Sequence, residues 1–161
     1  MAVSSRILVI YKNRKQLDPF LEALVTQREK VFLGSMTVFY RFFIAAVKVL
    51  LGWSLLPKCH RIDTEKSVPR TVDDFDLNDL IILDNVSMIE SMELQLLRQK
   101  ISKFTTIEVC RYEEAALIIG SQPKGTYRRT MLLAPELGNE GFYDNDPTIH
   151  HMAEKWREKV A

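Results

Sequence analysis

The chain has 161 residues, 47% hydrophobic and 27% charged, which excludes the disordered and collagen-like classes and fits one globular domain. Twenty-two Lys and Arg stand against 21 Asp and Glu, a net charge of +1. That neutral total conceals a split: residues 1–61 hold ten cations and three acids (Asp18, Glu22, Glu29), or +7, and residues 62–161 carry −6.

Arg6–Tyr11 alternates over strand length and predicts a first strand, with Lys12, Arg14 and Lys15 in a basic turn after it. A secretory signal would put its charges before the apolar run; here most follow it. An organellar import sequence is the alternative. The two cysteines, Cys59 and Cys110, form neither a disulfide framework nor a zinc pattern. A reducing compartment is therefore expected, mitochondrial or cytoplasmic.

Residues 31–56 (VFLGSMTVFYRFFIAAVKVLLGWSLL) predict one long apolar helix that ends before Pro57. Arg41 and Lys48 lie seven apart and share a narrow stripe with Gly34, Thr37, Ala45 and Gly52. Three readings are open: a helix packed by its own domain and partner subunits, a helix lying on a membrane, or a span within a complex. A cation at the centre of a span costs roughly 2.5–3.5 kcal/mol on insertion scales, which weighs against the third. Lys58–Arg70 is polar and contains proline. The expected organisation is a basic, apolar strand-plus-helix region over 1–61, a linker over 62–75 and an α/β domain over 76–161.

Leu80–Leu83 is a short Ile-rich run that predicts a buried strand. Ser87 with Glu90 matches a capping box, so a helix is expected from Met88 to Lys103, with Ile89, Met92, Leu96, Leu97 and Ile101 inward. Thr105–Cys110 predicts a second strand. Glu113–Ile119 is open between helix and strand, and Thr130–Leu133 predicts a third strand. Residues 120–125 and 138–146 read as loops. Asp146 before Pro147 marks the start of a last helix, its face Ile149, Met152, Trp156 and Val160. The alternation predicts an α/β fold: a small, mostly parallel sheet flanked by helices.

No catalytic signature emerges, and no metal or cofactor is expected. Residues 120–126 (GSQPKGT) miss the phosphate-loop pattern, because the Lys is absent after Gly125 and no helix follows. His150 and Glu154 share a helix face, with no third ligand in view. Lys12, Arg14, Lys15, Arg41, Lys48, Arg128 and Arg129 are candidate contacts to RNA or another anion. Asp84 and Asn85, at the carboxyl end of a buried strand, form a candidate partner face with Phe42 and Trp53.

The words around Asp84, DLIILDNVSM, resemble those around the phospho-acceptor of response-regulator receiver domains. The acidic pair of that family is replaced by Tyr11-Lys12-Asn13, so the resemblance implies a degenerate, protein-binding module. A second resemblance covers Asp79–Lys159. The run of Leu80–Leu83, Leu96-Leu97-Arg98, Thr105–Arg111, Glu113–Ile119, Met131–Leu133 and Pro147–Val160 is similar to the globular domain of the ribosomal stalk-base family, mitochondrial type. It implies a large-subunit protein whose N-terminal cations meet rRNA. The expectation is a non-catalytic structural or interaction subunit of a larger assembly, in contact with protein subunits and rRNA. The alternatives are the degenerate receiver-like module and a membrane-associated complex subunit using residues 31–56.

Overall fold

A computed structural model describes residues 6–34, 38–51, 57–138 and 141–160. Six strands form one sheet: β1 (Arg6–Tyr11), β2 (Cys59–Asp63), β3 (Leu80–Asp84), β4 (Thr105–Arg111), β5 (Arg129–Leu133) and β6 (Phe142–Asp144). Their order is β2-β3-β4-β1-β5-β6, and every neighbouring pair is parallel except β5 with β6. The helices are α1 (Leu17–Gly34), α2 (Val38–Leu51), α3 (Met92–Lys100), α4 (Tyr112–Ser121) and α5 (Pro147–Val160). The α/β class and the mostly parallel sheet are as the alternating pattern predicts.

β1 lies at the centre of the sheet between β4 and β5, paired along its length from Arg6 with Thr106 to Tyr11 with Arg111. A central parallel strand is covered on both faces, which is why RILVIY is nearly continuous apolar sequence. The basic N-terminal region is therefore not a body apart from the acidic one. β2, Cys59–Asp63, pairs with β3, so Ile62 and Asp63 at the start of the expected linker belong to the sheet.

Two cores follow from the alternation of strand side chains. On one face Val9, Ile82, Ile107, Val109 and Met131 meet Leu17, Phe20 and Leu21 of α1. On the other, Leu8, Ile10, Ile81 and Leu83 meet Leu94 and Leu97 of α3, Ala115 and Ile118 of α4, and Ile149 and Ala153 of α5.

Among the described residues the apolar stretch 31–56 shows no single long apolar helix: its described parts belong to α1, which is given to Gly34, and to α2, Val38–Leu51. Among the described residues no helix is long and apolar enough to cross a membrane. The fourteen residues of α2 reach about 21 Å, short of the roughly 30 Å hydrocarbon layer.

Other boundaries move for local reasons. α3 starts at Met92, because Ser91 and not Ser87 caps it, its hydroxyl accepting the Leu94 N–H at 3.2 Å. Ser87 instead donates to Glu114. The buried face of α3 is thereby Leu94, Leu97 and Ile101, while Ile89, Met92 and Leu96 are exposed. The segment 138–146 is not all loop, since it contains β6. α5 starts where Asp146 and Pro147 predict, with Asp146 accepting from the Ile149 N–H. It buries Ile149 and Ala153 and leaves Met152 and Val160 exposed.

α4 and α5 cross closely at Gly120, where a Cβ would lie 2.7 Å from Trp156 Cδ1 and 2.9 Å from the Ala153 carbonyl oxygen. Trp156 could swing away, but the carbonyl belongs to the backbone of α5. Overpacking costs about 1–3 kcal/mol, against about 1 kcal/mol of helix propensity gained from Gly to Ala. Gly120→Ala is expected to destabilise by about 1 kcal/mol, and Gly120→Val by more. Urea melts would show it; a stabilised Gly120→Ala would mean that the two helices separate freely.

Candidate functional site

α1 follows β1 on one face of the sheet, and α4 follows β4 on the other. The connections leaving these two adjacent strands therefore diverge at their carboxyl ends. Open α/β sheets bind ligands in such a crevice. The carboxyl ends present here are those of β1, β3 and β4, with Tyr11, Asp84 and Arg111 at the edge.

Asp84 is the centre of this edge, and its side chain is only 4% exposed. Arg14 Nη2 donates to Asp84 Oδ2 at 2.6 Å and Arg14 Nη1 to Oδ1 at 3.3 Å. Arg61 Nη2 donates to Oδ2 at 2.8 Å, and the Asn85 N–H to Oδ1 at 2.8 Å. Both carboxylate oxygens thus hold two donors. A second ring surrounds the first: Arg61 also pairs with Asp18, Arg14 also donates to Asn85 and Tyr11, and Asn85 Nδ2 donates to Asp63. Asn85 sits in the left-handed region at φ 58°, a conformation that Asn tolerates better than most side chains. Its amide holds Asp63 below the ordinary carboxylate value. The Asp84 hydrogen bond, with that of Tyr11 behind it, raises the Arg14 guanidinium above its own. This arrangement fills both Asp84 oxygens and makes Asp84 a buried anchor, with Asn85 half-buried beside it.

A second cluster gathers around one fully buried acid. Glu108 of β4 is 0% exposed. Arg98 of α3 grips it with two bonds of 2.7 and 2.8 Å, Arg6 of β1 donates at 2.6 Å, and the Tyr127 hydroxyl donates at 3.1 Å. Arg98 also bonds Glu90. Burial alone would push the Glu108 carboxyl up, but the Arg98 bonds and charge, then those of Arg6, outweigh it and hold it low. The same burial acts to lower Arg98, and its bonds to Glu108 raise it overall. This cluster ties α3 to the sheet and leaves Glu108 unavailable for proton transfer.

The remaining candidates scatter. Lys12, Arg14 and Lys15 share the carboxyl edge with Arg111, and Lys12 lies 4.6 Å over the Tyr112 ring. Arg129 starts β5 at the opposite edge, with Arg128 just before it, and Arg129 bonds Asp144. The cations are therefore not one surface. Arg41 and Lys48 belong to α2, but their side chains, like Trp53, lie outside the described residues. Phe42 is 73% exposed. His60 pairs with Asp79 at 2.7 Å and stacks on Phe75, and burial pushes the Cys59 and Cys110 thiols up, away from the reactive thiolate.

Two depressions are lined by described residues. A groove of about 670 Å³ between α4 and α5 is lined by Glu113, Leu117, Met152, Lys155 and Trp156. A smaller polar one, about 210 Å³, lies under residues 123–127, beside Thr130, His150 and Arg157. The loop over it connects α4 to β5, the reverse of the strand-to-helix order a phosphate loop requires. His150 is spent on Thr130, and no group of three or more metal-ligating side chains occurs among the described residues.

Sequence reading missed Glu108, Arg98, Arg6 and Arg61. An acid inside the alternating strand TTIEVC, with arginines to spare nearby, was the available signal for the first. The second accessible feature is α2. Phe42, Phe43, Ala45, Ala46, Val49 and Leu50 are all exposed, Val49 at 82% and Leu50 at 79%. At 3.6 residues per turn these positions sweep an arc of roughly 160° without one polar residue. In comparisons with family models, characterised proteins and solved structures, none matches this chain.

Proposed function

We propose that the chain is a non-catalytic interaction subunit, an α/β body held in a larger assembly through α2. The observation that carries this is the exposed apolar arc of α2. Soluble chains leave single apolar side chains in water freely, but contiguous apolar surface of this kind marks a docking site. The closed state of the carboxyl edge supports the same conclusion, since Asp84 has no free oxygen for a metal or a phosphoryl group.

The degenerate receiver-like module is the weaker alternative. Receiver domains share the doubly wound order in which the first strand lies between the second and third. Here β1 lies between β4 and β5. For the ribosomal version, the run β3-α3-β4-α4-β5-α5 that the stalk-base resemblance implies is present with β6 added before α5, and this order is common to many α/β sheets. Lys12, Lys15 and Arg128 are exposed and suited to phosphate.

The test is sedimentation of the full chain from a detergent-free lysate. Wild type is expected in a fast-sedimenting particle or pellet, and Val49→Glu/Leu50→Glu at the position of a monomer. Both side chains are exposed, so the variant should keep the wild-type melting curve. Release by ribonuclease would favour the ribosomal version. Wild type sedimenting as a monomer, or a variant that does not move, would remove the proposal.

A further inference from the structure

We propose that the surface on which α2 seats is an anionic lipid bilayer, the helix lying in the headgroup layer with its apolar arc toward the acyl chains. This rests on the docking role of α2 and names its partner.

The first argument is charge. From Lys30 to Arg61 the sequence has five Lys and Arg and no Asp or Glu. Positions 41 and 48 are one heptad apart, and on a 3.6-residue helix both fall just outside one edge of the exposed arc. Cations beside an apolar face are the pattern of helices that lie on anionic membranes, where long side chains reach the headgroups while the apolar face is buried. Each cation near such a surface contributes attraction that fades within a Debye length.

The second argument is shape. The arc spans roughly 160°, wider than the narrow seam that one partner helix covers. A second copy on a two-fold axis would bring this acid-free segment against itself, cation toward cation. A bilayer covers a broad convex arc at once and carries the opposite charge. The length agrees as well: the fourteen described residues of α2, about 21 Å, can lie along the hydrocarbon boundary.

The experiment is vesicle co-sedimentation of the purified full chain. The probes are phosphatidylcholine vesicles and vesicles with about one-third phosphatidylserine. Binding is expected to be at least about tenfold stronger to the anionic vesicles and to weaken as salt is raised. Val49→Glu/Leu50→Glu should abolish it, and Arg41→Gln/Lys48→Gln should weaken it about tenfold or more. Equal binding to both vesicles, no binding to either, or binding unchanged by Val49→Glu/Leu50→Glu overturns the bilayer. If vesicles fail while the lysate still shows a sedimenting particle that loses the Val49→Glu/Leu50→Glu variant, α2 docks on protein or RNA and only the lipid is wrong. If the lysate shows a monomer, the docking role itself falls.

Discussion

Glu108→Ala is expected to lower stability by about 3–5 kcal/mol, the range for breaking a buried ion pair from one side. The loss is not the net value of the pair. It is the cost of leaving Arg98, 16% exposed, and Arg6, 27% exposed, with no carboxylate between them. For a domain of this size each kcal/mol shifts the melting temperature by roughly 2–4 °C, so a fall on the order of 10 °C follows. Glu108→Gln keeps the shape and loses the charge, and should cost less than Ala. The pH dependence has a definite sign. The carboxyl titrates near 4.5 when unperturbed and lower in the fold. Its stabilisation is complete above 4.5 and is lost as pH falls through the folded value. The gap between wild type and Glu108→Gln should therefore be full at neutral pH and shrink in strong acid. A gap that stays constant in urea melts from neutral pH down to about pH 2 would show that the charge of Glu108 is not what Arg98 and Arg6 hold.

The fold was legible wherever one local signal decided the matter. Arg6–Tyr11 and Leu80–Leu83 are short apolar runs, and both are strands. Asp146 with Pro147 combines a cap with a preset φ, and α5 starts there. Legibility failed where two local signals competed. Ser87 matched the capping box, but its hydroxyl is bonded to Glu114 across the fold, Ser91 caps α3 instead, and the helix face turned with it. The long apolar helix failed for another reason. Hydropathy over 31–56 registers apolar content and not where a helix starts or stops, and among the described residues the stretch is shared between α1, to Gly34, and α2, Val38–Leu51. The site was legible by type and not by state. Asp84 at a strand's carboxyl end was visible, but the two arginines that close it come from 70 and 23 residues away. Such pairings are set by strand order, which no spacing in the chain encodes.

Asp84→Ala is expected to destabilise by about 1.5–3 kcal/mol, less than Glu108→Ala. The carboxylate is buried, but Arg14 and Arg61 are 48% and 40% exposed. Water can take over their donors, which limits the cost of orphaning them. What water cannot replace is the acceptor for the Asn85 N–H, because that bond holds the turn at φ 58° after β3. Asp84→Asn keeps an acceptor for Asn85 while losing both ion pairs, so its deficit should fall between wild type and Ala. The difference between the two variants then isolates the turn from the charges in chemical denaturation. The same pair separates structure from partner recognition. An anchor predicts lower stability with vesicle and particle binding retained below the melting transition, since α2 is untouched. If Asp84→Asn instead melts like wild type and loses its particle, Asp84 faces a partner directly, and the receiver-like alternative replaces the docking role of α2.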